Sequence, residues 1–299
     1  MKEDKILVSV VMCTYNGMRF IRESIDSILS QTFHDFELIV WNDGSTDKTE
    51  EIVRSYDDPR IRYFYHENTG LGEALNLACQ QAQGKYIARI DDDDICMSNR
   101  LQKQVDYLET HPNCILLSSS CYYINEEGKI VGRSLFCTWN SVIKKTLKVG
   151  SATIHPAAMF RTDAYKNTCG YLGLKSSQDR VLWSKMARFG EFHNLSLALI
   201  KYRLVSNSLS HCVENNPYSS ILEEVRRKMI EDEIVSERDI LLYNDIYRLS
   251  KSQLKEMKAF AYSPKMEERL YALIKPLLGD CITSDLLIFF KNIYCFIIK

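Results

Sequence analysis

The chain has 299 residues, 45% hydrophobic and 11% aromatic, with 12 Gly and 6 Pro, a composition that excludes a disordered or fibrous protein. Thirty-eight basic residues stand against 39 acidic ones, a net charge of -1, which leaves no basic field for a polyanion and argues against a nucleic-acid partner. None of the ten cysteines forms a CxxC pair, so no zinc knuckle or dithiol motif is expected, and scattered thiols without an apolar leader point to a reducing cytosol.

From Ile6 to Asp91 the apolar pattern alternates between short β-rich runs and helical periodicity. Strands are predicted at Ile6–Cys13, Phe36–Trp41, Ile61–Tyr65 and Tyr86–Ile90, with helices over about 19–30, 47–56 and 72–83 between them. Such alternation builds a parallel sheet covered on both faces, with ligands beyond the carboxyl ends of the strands. The four loops there are polar: Thr14-Tyr15-Asn16-Gly17, Asn42 to Asp47, His66 to Gly70, and Asp91-Asp92-Asp93-Asp94. On one sheet edge they line one cleft.

Further along, a helix near 98–110, a strand near 114–120, a hairpin of Tyr122–Asn125 and Lys129–Arg133, strands at Ala157–Arg161 and Leu199–Val205, and a helix at Asp179–Phe189 are predicted, roughly placed by their periodicity. They extend the sheet and cover the cleft. Beyond about 217 helical periodicity takes over, so residues 1–213 read as one α/β domain and 214–299 as a helical C-terminal region. Its last apolar run, Leu286–Ile298, is broken by Lys291 and Asn292 and reaches about 20 Å, short of the roughly 30 Å hydrocarbon core. Core packing is one reading of it, peripheral contact with a membrane surface the other.

Carboxylates crowded after the strand Tyr86–Ile90 repel one another unless a cation lies among them, and hard oxygen ligands suit Mg2+ or Mn2+. Such a metal keeps positions for substrate phosphates and compensates a departing diphosphate. A solvated acidic turn or a calcium site is the competing reading. Asp43 can accept a base N–H while Tyr15 offers a ring for stacking; an ordinary Asp-Gly turn with a helix cap is the plain alternative. Trp183 reads as core before acceptor platform, His155 as either cleft-facing or structural, and Arg89 as a partner of the acidic run. No GxSxG suggests a serine nucleophile.

In their order and spacing these segments resemble glycosyltransferase family 2. The likeness rests on Val10 to Gly17, Asn42 to Asp47, Asn68 to Asn76 and Gly84 to Asp94. It continues through Arg100 to Gln104, His155-Pro156, Gln178 to Trp183 and Tyr202-Arg203, spanning residues 6–210. The resemblance implies a GT-A fold: a mixed, mainly parallel sheet flanked by helices, carrying nucleotide-sugar binding and catalysis in residues 1–213. It implies that Thr14, Tyr15 and Asp43, with Asn16 beside them, hold the uracil end of a UDP-sugar. Asp91 and Asp92 would lie near ribose or sugar, Asp93 with Asp91 would bind the metal, and Arg100 would reach the nucleotide-sugar. Asp179 matches the general base of inverting members, with Gln178, His155, Trp183 and Arg89 as second-rank or acceptor-side candidates.

Relatives often carry Glu where Gln178 stands, and His where Val205 stands, so a charged neighbour of the base and a metal-ligating histidine are not expected. Gln178 to Trp183 does not spell the QxxRW of processive synthases, which favours transfer of a single sugar. The implied acceptor is a glycan or polyprenyl-linked hydroxyl at the cytoplasmic face of the inner membrane, in surface polysaccharide or glycolipid assembly. Two rivals remain. A nucleotidyltransferase would need a Gly-rich phosphate loop where Thr14-Tyr15-Asn16-Gly17 stands; a non-catalytic nucleotide-sugar-binding module would bind without turnover.

Overall fold

In a computed structural model of the chain the described residues are 6–134, 136–147, 152–205, 222, 226, 227, 229–231 and 235–248. The chain divides into two compact units, Met1–Ser208 and Leu209–Lys299.

The first unit opens with β1 (Val8–Thr14), α1 (Ile21–Leu29), β2 (Phe36–Asp43), α2 (Thr49–Arg54), β3 (Ile61–His66), α3 (Leu71–Gln80) and β4 (Tyr86–Asp91). The helical crossovers leave these strands parallel, in the order β3-β2-β1-β4. Every residue of β1 and β2 is buried, because helices cover both faces of the sheet and a central parallel strand must be apolar on each. Side chains alternate across it: Val8, Val10 and Met12 pack with Ile21, Ile25 and Ile28 of α1, while Val11 and Cys13 meet Ala74, Leu75 and Ala78 of α3. Ile21, Ile25 and Ile28 recur at i, i+4 and i+7, and Leu29 beside them widens the apolar stripe of a helix that is otherwise polar.

The sheet then grows through β5 (Ile95–Cys96), β6 (Cys114–Ile124), β7 (Ile130–Arg133), β8 (Met159–Arg161) and β9 (Glu191–Arg203), with α4 (Arg100–Thr110), α5 (Asn140–Thr146), α6 (Thr162–Lys166) and α7 (Gln178–Met186) between them. Its order continues β4-β8-β6-β9-β5, with β7 on β6. Strand β8 is antiparallel to β4 and β6, whereas β6 and β9 are parallel. Leu101, Val105 and Leu108 of α4 join the α1 core, and Leu182, Trp183 and Met186 of α7 join the α3 core. Helices thus brace both faces.

Three expectations shift. The predicted strand at 114–120 and the first arm of the hairpin are one strand, β6, bulged between Tyr123 and Ile124. Strand β9 starts at Glu191, well before Leu199, because a register shift against Ser119 and Ser120 leaves Ser196 and Leu197 exposed and breaks the alternation a strand shows in sequence. The strand predicted from Ala157 begins at Met159 after a short 3-10 turn, His155–Ala157, which Pro156 suits because its ring presets a helical φ.

In the second unit, α8 (Glu237–Arg248) starts after Ser236, whose Oγ accepts the Asp239 N–H at 3.2 Å, a side-chain cap on an orphan donor. The segment Leu286–Ile298 lies outside the described residues. Among those described, no helix is long and apolar enough to cross a membrane.

Candidate active site

Loops following β1 to β4 meet at the carboxyl edge of the sheet, and hydrogen bonds tie them together. Thr14 ends β1, buried, and its hydroxyl donates to Asp92 Oδ2 at 2.5 Å. Tyr15 is 54% exposed, an open aromatic face. Asn16 adopts a left-handed backbone, φ 56; its N–H donates to Ser45 Oγ at 2.8 Å and its Oδ1 accepts the Thr46 N–H at 2.8 Å, stapling the first loop to the second. Asp43 ends β2, buried. Its Oδ1 accepts from Thr69 N–H at 2.9 Å and Thr69 Oγ at 3.0 Å, and its Oδ2 from Gly70 N–H at 2.9 Å. Gly70 caps α3 at φ 88, a backbone state that glycine adopts without strain.

The acidic loop is crowded. Asp91 ends β4 and pairs with the buried Arg89 guanidinium. One carboxylate oxygen each from Asp91, Asp93 and Asp94 lie within 4.8 Å of one another. Asp94 is buried; its Oδ1 accepts the Arg203 N–H at 2.8 Å, and its Oδ2 has no partner among the described residues. Burial and the negative Asp91 and Asp93 push Asp94 well above the usual carboxylate range. Burial, with Asp91 and Asp92 adding, pushes Asp93 up to about 7. Burial pushes Asp92 up to about 6, against the Thr14 hydrogen bond, which lowers it. An orphaned buried acceptor among mutually repelling carboxylates is the donor set that a hard divalent cation satisfies. The sequence points to Asp93 and Asp91 as candidate ligands; the geometry puts Asp94 beside them, its signal in the sequence being only its place in the same run.

Arg100 is a correction. It is fully buried, and its Nε donates to Gln104 Oε1 at 3.0 Å and its Nη2 to Arg89 O at 2.7 Å, so it braces α4 against β4 inside the protein instead of reaching a nucleotide-sugar. Trp183 is also fully buried, edge-on to His155 and Phe160; it is core, not an acceptor platform. His155 Nε2 lies 2.8 Å from the Tyr171 hydroxyl, and burial together with the Arg89 charge holds its pKa well below the usual histidine value. It is a neutral, packed imidazole.

Gln178 opens α7 behind Ser177, which takes a left-handed φ of 60. Gln178 is buried, its Oε1 without a partner among the described residues. Asp179 follows in the first turn, partly exposed, where the helix dipole favours a negative charge. The buried Tyr171 lies within electrostatic reach of both Arg89 and Asp179, and burial above all raises its hydroxyl pKa. No motif marked Tyr171; only packing of the loop before α7 brings it there. That loop lies on the first turn of α3: a Cβ at Gly72 would stand 2.2 Å from Leu172 O.

The sequence profile of Glycosyl transferase family 2 matches residues 9–168. An uncharacterised glycosyltransferase of Methanocaldococcus jannaschii is 37% identical over 225 residues, covering 72% of this chain and 78% of that protein. Among solved structures, S. aureus TarS 1-349 in complex with UDP-GlcNAc matches with a TM-score of 0.61 at 20% identity, over 90% of this chain and 81% of that one. The mannosyltransferase PcManGT of Pyrobaculum calidifontis, in complex with GDP-Man and Mn2+, matches with a TM-score of 0.56 at 18% identity, over 91% and 87%. At such identities the likeness speaks for the fold alone, which is GT-A.

Proposed function

This chain belongs to glycosyl transferase family 2, and on that premise we propose that it moves a single sugar, with inversion, from a UDP-sugar to a hydroxyl of a glycan or polyprenyl-linked acceptor in surface polysaccharide or glycolipid assembly. The reading rests above all on one set of interactions: Tyr171 lies within electrostatic reach of both Asp179 and Arg89, and Arg89 pairs with Asp91.

In this reading the Tyr15 ring stacks on the base. Asp43 Oδ2 accepts one hydrogen bond from the protein and, as a carboxylate oxygen, keeps a lone pair for a base N–H. Asp91, Asp93 and Asp94 would hold a divalent cation, Mn2+ or Mg2+, which would supply charge compensation for the departing diphosphate. Asp179 takes the proton of the acceptor hydroxyl as that oxygen bonds to the anomeric carbon, while the bond from that carbon to the diphosphate oxygen breaks and its electron pair leaves with UDP. Attack and departure on opposite faces invert the centre.

A thermal-shift screen of nucleotide-sugars with and without Mn2+ tests the reading, since a ligand that binds only the native state raises the midpoint with its affinity. A UDP-sugar that raises it only with Mn2+ present supports the proposal. A panel of UDP-, GDP- and dTDP-sugars that leaves the midpoint unmoved would sink it.

A further inference from the structure

Residues outside the acidic loop give it its shape. Arg203, the last residue of β9, is buried. Its backbone N–H donates to Asp94 Oδ1 at 2.8 Å and its Nε to Asp93 O at 2.8 Å. Its Nη1 donates to Asn125 O and Glu126 O, at 3.3 and 3.1 Å, in the turn between β6 and β7. Its Nη2 pairs with Glu23 Oε2 of α1 at 2.5 Å, and the guanidinium lies over the Phe20 ring, 4.4 Å from the centroid. Ser24, next to Glu23, shares its hydroxyl between Asp92 O at 2.8 Å and Asp94 O at 2.6 Å.

Three successive carbonyls of the loop are therefore held from α1 or β9, and one Asp94 oxygen is tied while the other is left over. Like charges at this density push a flexible loop apart. Donors fixed on regular elements oppose that spreading, and the entropy of ordering is then lost at folding instead of at cation binding. The Glu23 pair matters too: with its charge balanced, Arg203 adds little repulsion to an approaching cation.

We propose that Arg203, assisted by Ser24, is a positioning residue that presets the Asp91–Asp94 loop for a divalent cation and leaves Asp94 Oδ2 as the oxygen available to it. This rests on the metal reading above. Supporting groups of this kind commonly govern metal affinity as much as the ligands themselves.

The test is Mn2+ binding to the full chain by isothermal titration calorimetry and by electron paramagnetic resonance of bound Mn2+, in the wild type, Arg203→Lys, Ser24→Ala and Asp93→Asn. Arg203→Lys keeps the charge but cannot span the same partners, and its Kd for Mn2+ is expected to rise about tenfold; Ser24→Ala, the milder change, should raise it about threefold. The Kd for UDP at saturating Mn2+ should stay within about twofold of wild type in both, because the loop is again ordered once filled. Wild-type Mn2+ affinity in both variants, even with a lowered Tm, would mean that the two side chains only stabilise the fold and would overturn the proposal. Should Arg203→Lys not fold, Ser24→Ala decides alone. Mn2+ binding that is absent in the wild type, or unchanged in Asp93→Asn, would instead remove the metal reading and this inference with it.

Discussion

The Thr14 hydroxyl donates to Asp92 Oδ2 at 2.5 Å, joining the end of β1 to the acidic loop after β4. Because this bond favours the ionised carboxylate, it supports negative charge where burial opposes it.

Thr14→Val keeps the shape and removes the donor. The Asp92 pKa should rise above its present value of about 6, and the acid limb of the pH–rate profile should move up by roughly one unit, equivalent to about 1.4 kcal/mol. Rates measured from pH 5.5 to 8.5 check this; a loss equal at every pH would point to damage other than lost ionisation.

Asp179→Asn removes the proton acceptor while keeping the size of the side chain. Turnover should fall by about 10²–10⁴-fold, with the UDP-sugar Kd close to wild type. Steady-state kinetics beside calorimetry decide it, and turnover within threefold of wild type would exclude Asp179 as the base.

Asp93 ionises at about 7 when no cation is present, well above an unfolded aspartate, so the folded metal-free protein binds the extra proton between about pH 4 and 7. The sign follows: this group's stabilisation is complete below about pH 4 and is lost as pH rises through 7. Asp93→Asn should therefore stabilise the metal-free protein at pH 8, by on the order of 1–3 kcal/mol, and change little at pH 4. Denaturant titrations in EDTA at the two pH values test it. In parallel, Mn2+ binding at pH 6.5 should release protons, visible as buffer-dependent binding heats.

A Cβ at Gly72 would stand 2.2 Å from Leu172 O and 3.0 Å from Leu174 N, whereas one at Gly173 meets nothing nearer than Glu73 Oε2 at 4.0 Å. Gly72→Ala should cost about 1–3 kcal/mol by forcing the loop before α7 away from α3, and should lower turnover because that loop leads into Asp179. Gly173→Ala should stay within about 0.5 kcal/mol of wild type. Equal Tm values for the two variants would refute the close packing.

Much of this architecture was legible in the sequence for a local reason. A central parallel strand is apolar on both faces and its covering helix on one, so β1, α1, β2 and α3 carry patterns that differ without reference to anything distant. The polar loops after β1 to β4 could be placed on one edge because parallel strands end on the same side. Strand β9 escaped because its register shift against β6 interrupts the alternation near Ser196 and Leu197, a feature set by the partner strand and not by its own residues.

What the sequence determined alone is the order of strands and helices in the first half, the acidic run at a strand end, and the family. Tertiary structure decided which side chains serve it. Arg100 lies six residues from Asp94, a metal-ligand candidate, yet its guanidinium is turned inward onto Arg89 O and Gln104. Arg203 stands 109 positions from Asp94 in the chain and hydrogen-bonds to it. Local propensity follows from neighbours in sequence, whereas burial, charge crowding and the partners of a carboxylate arise only when distant segments share one small volume, and at this site they set the chemistry.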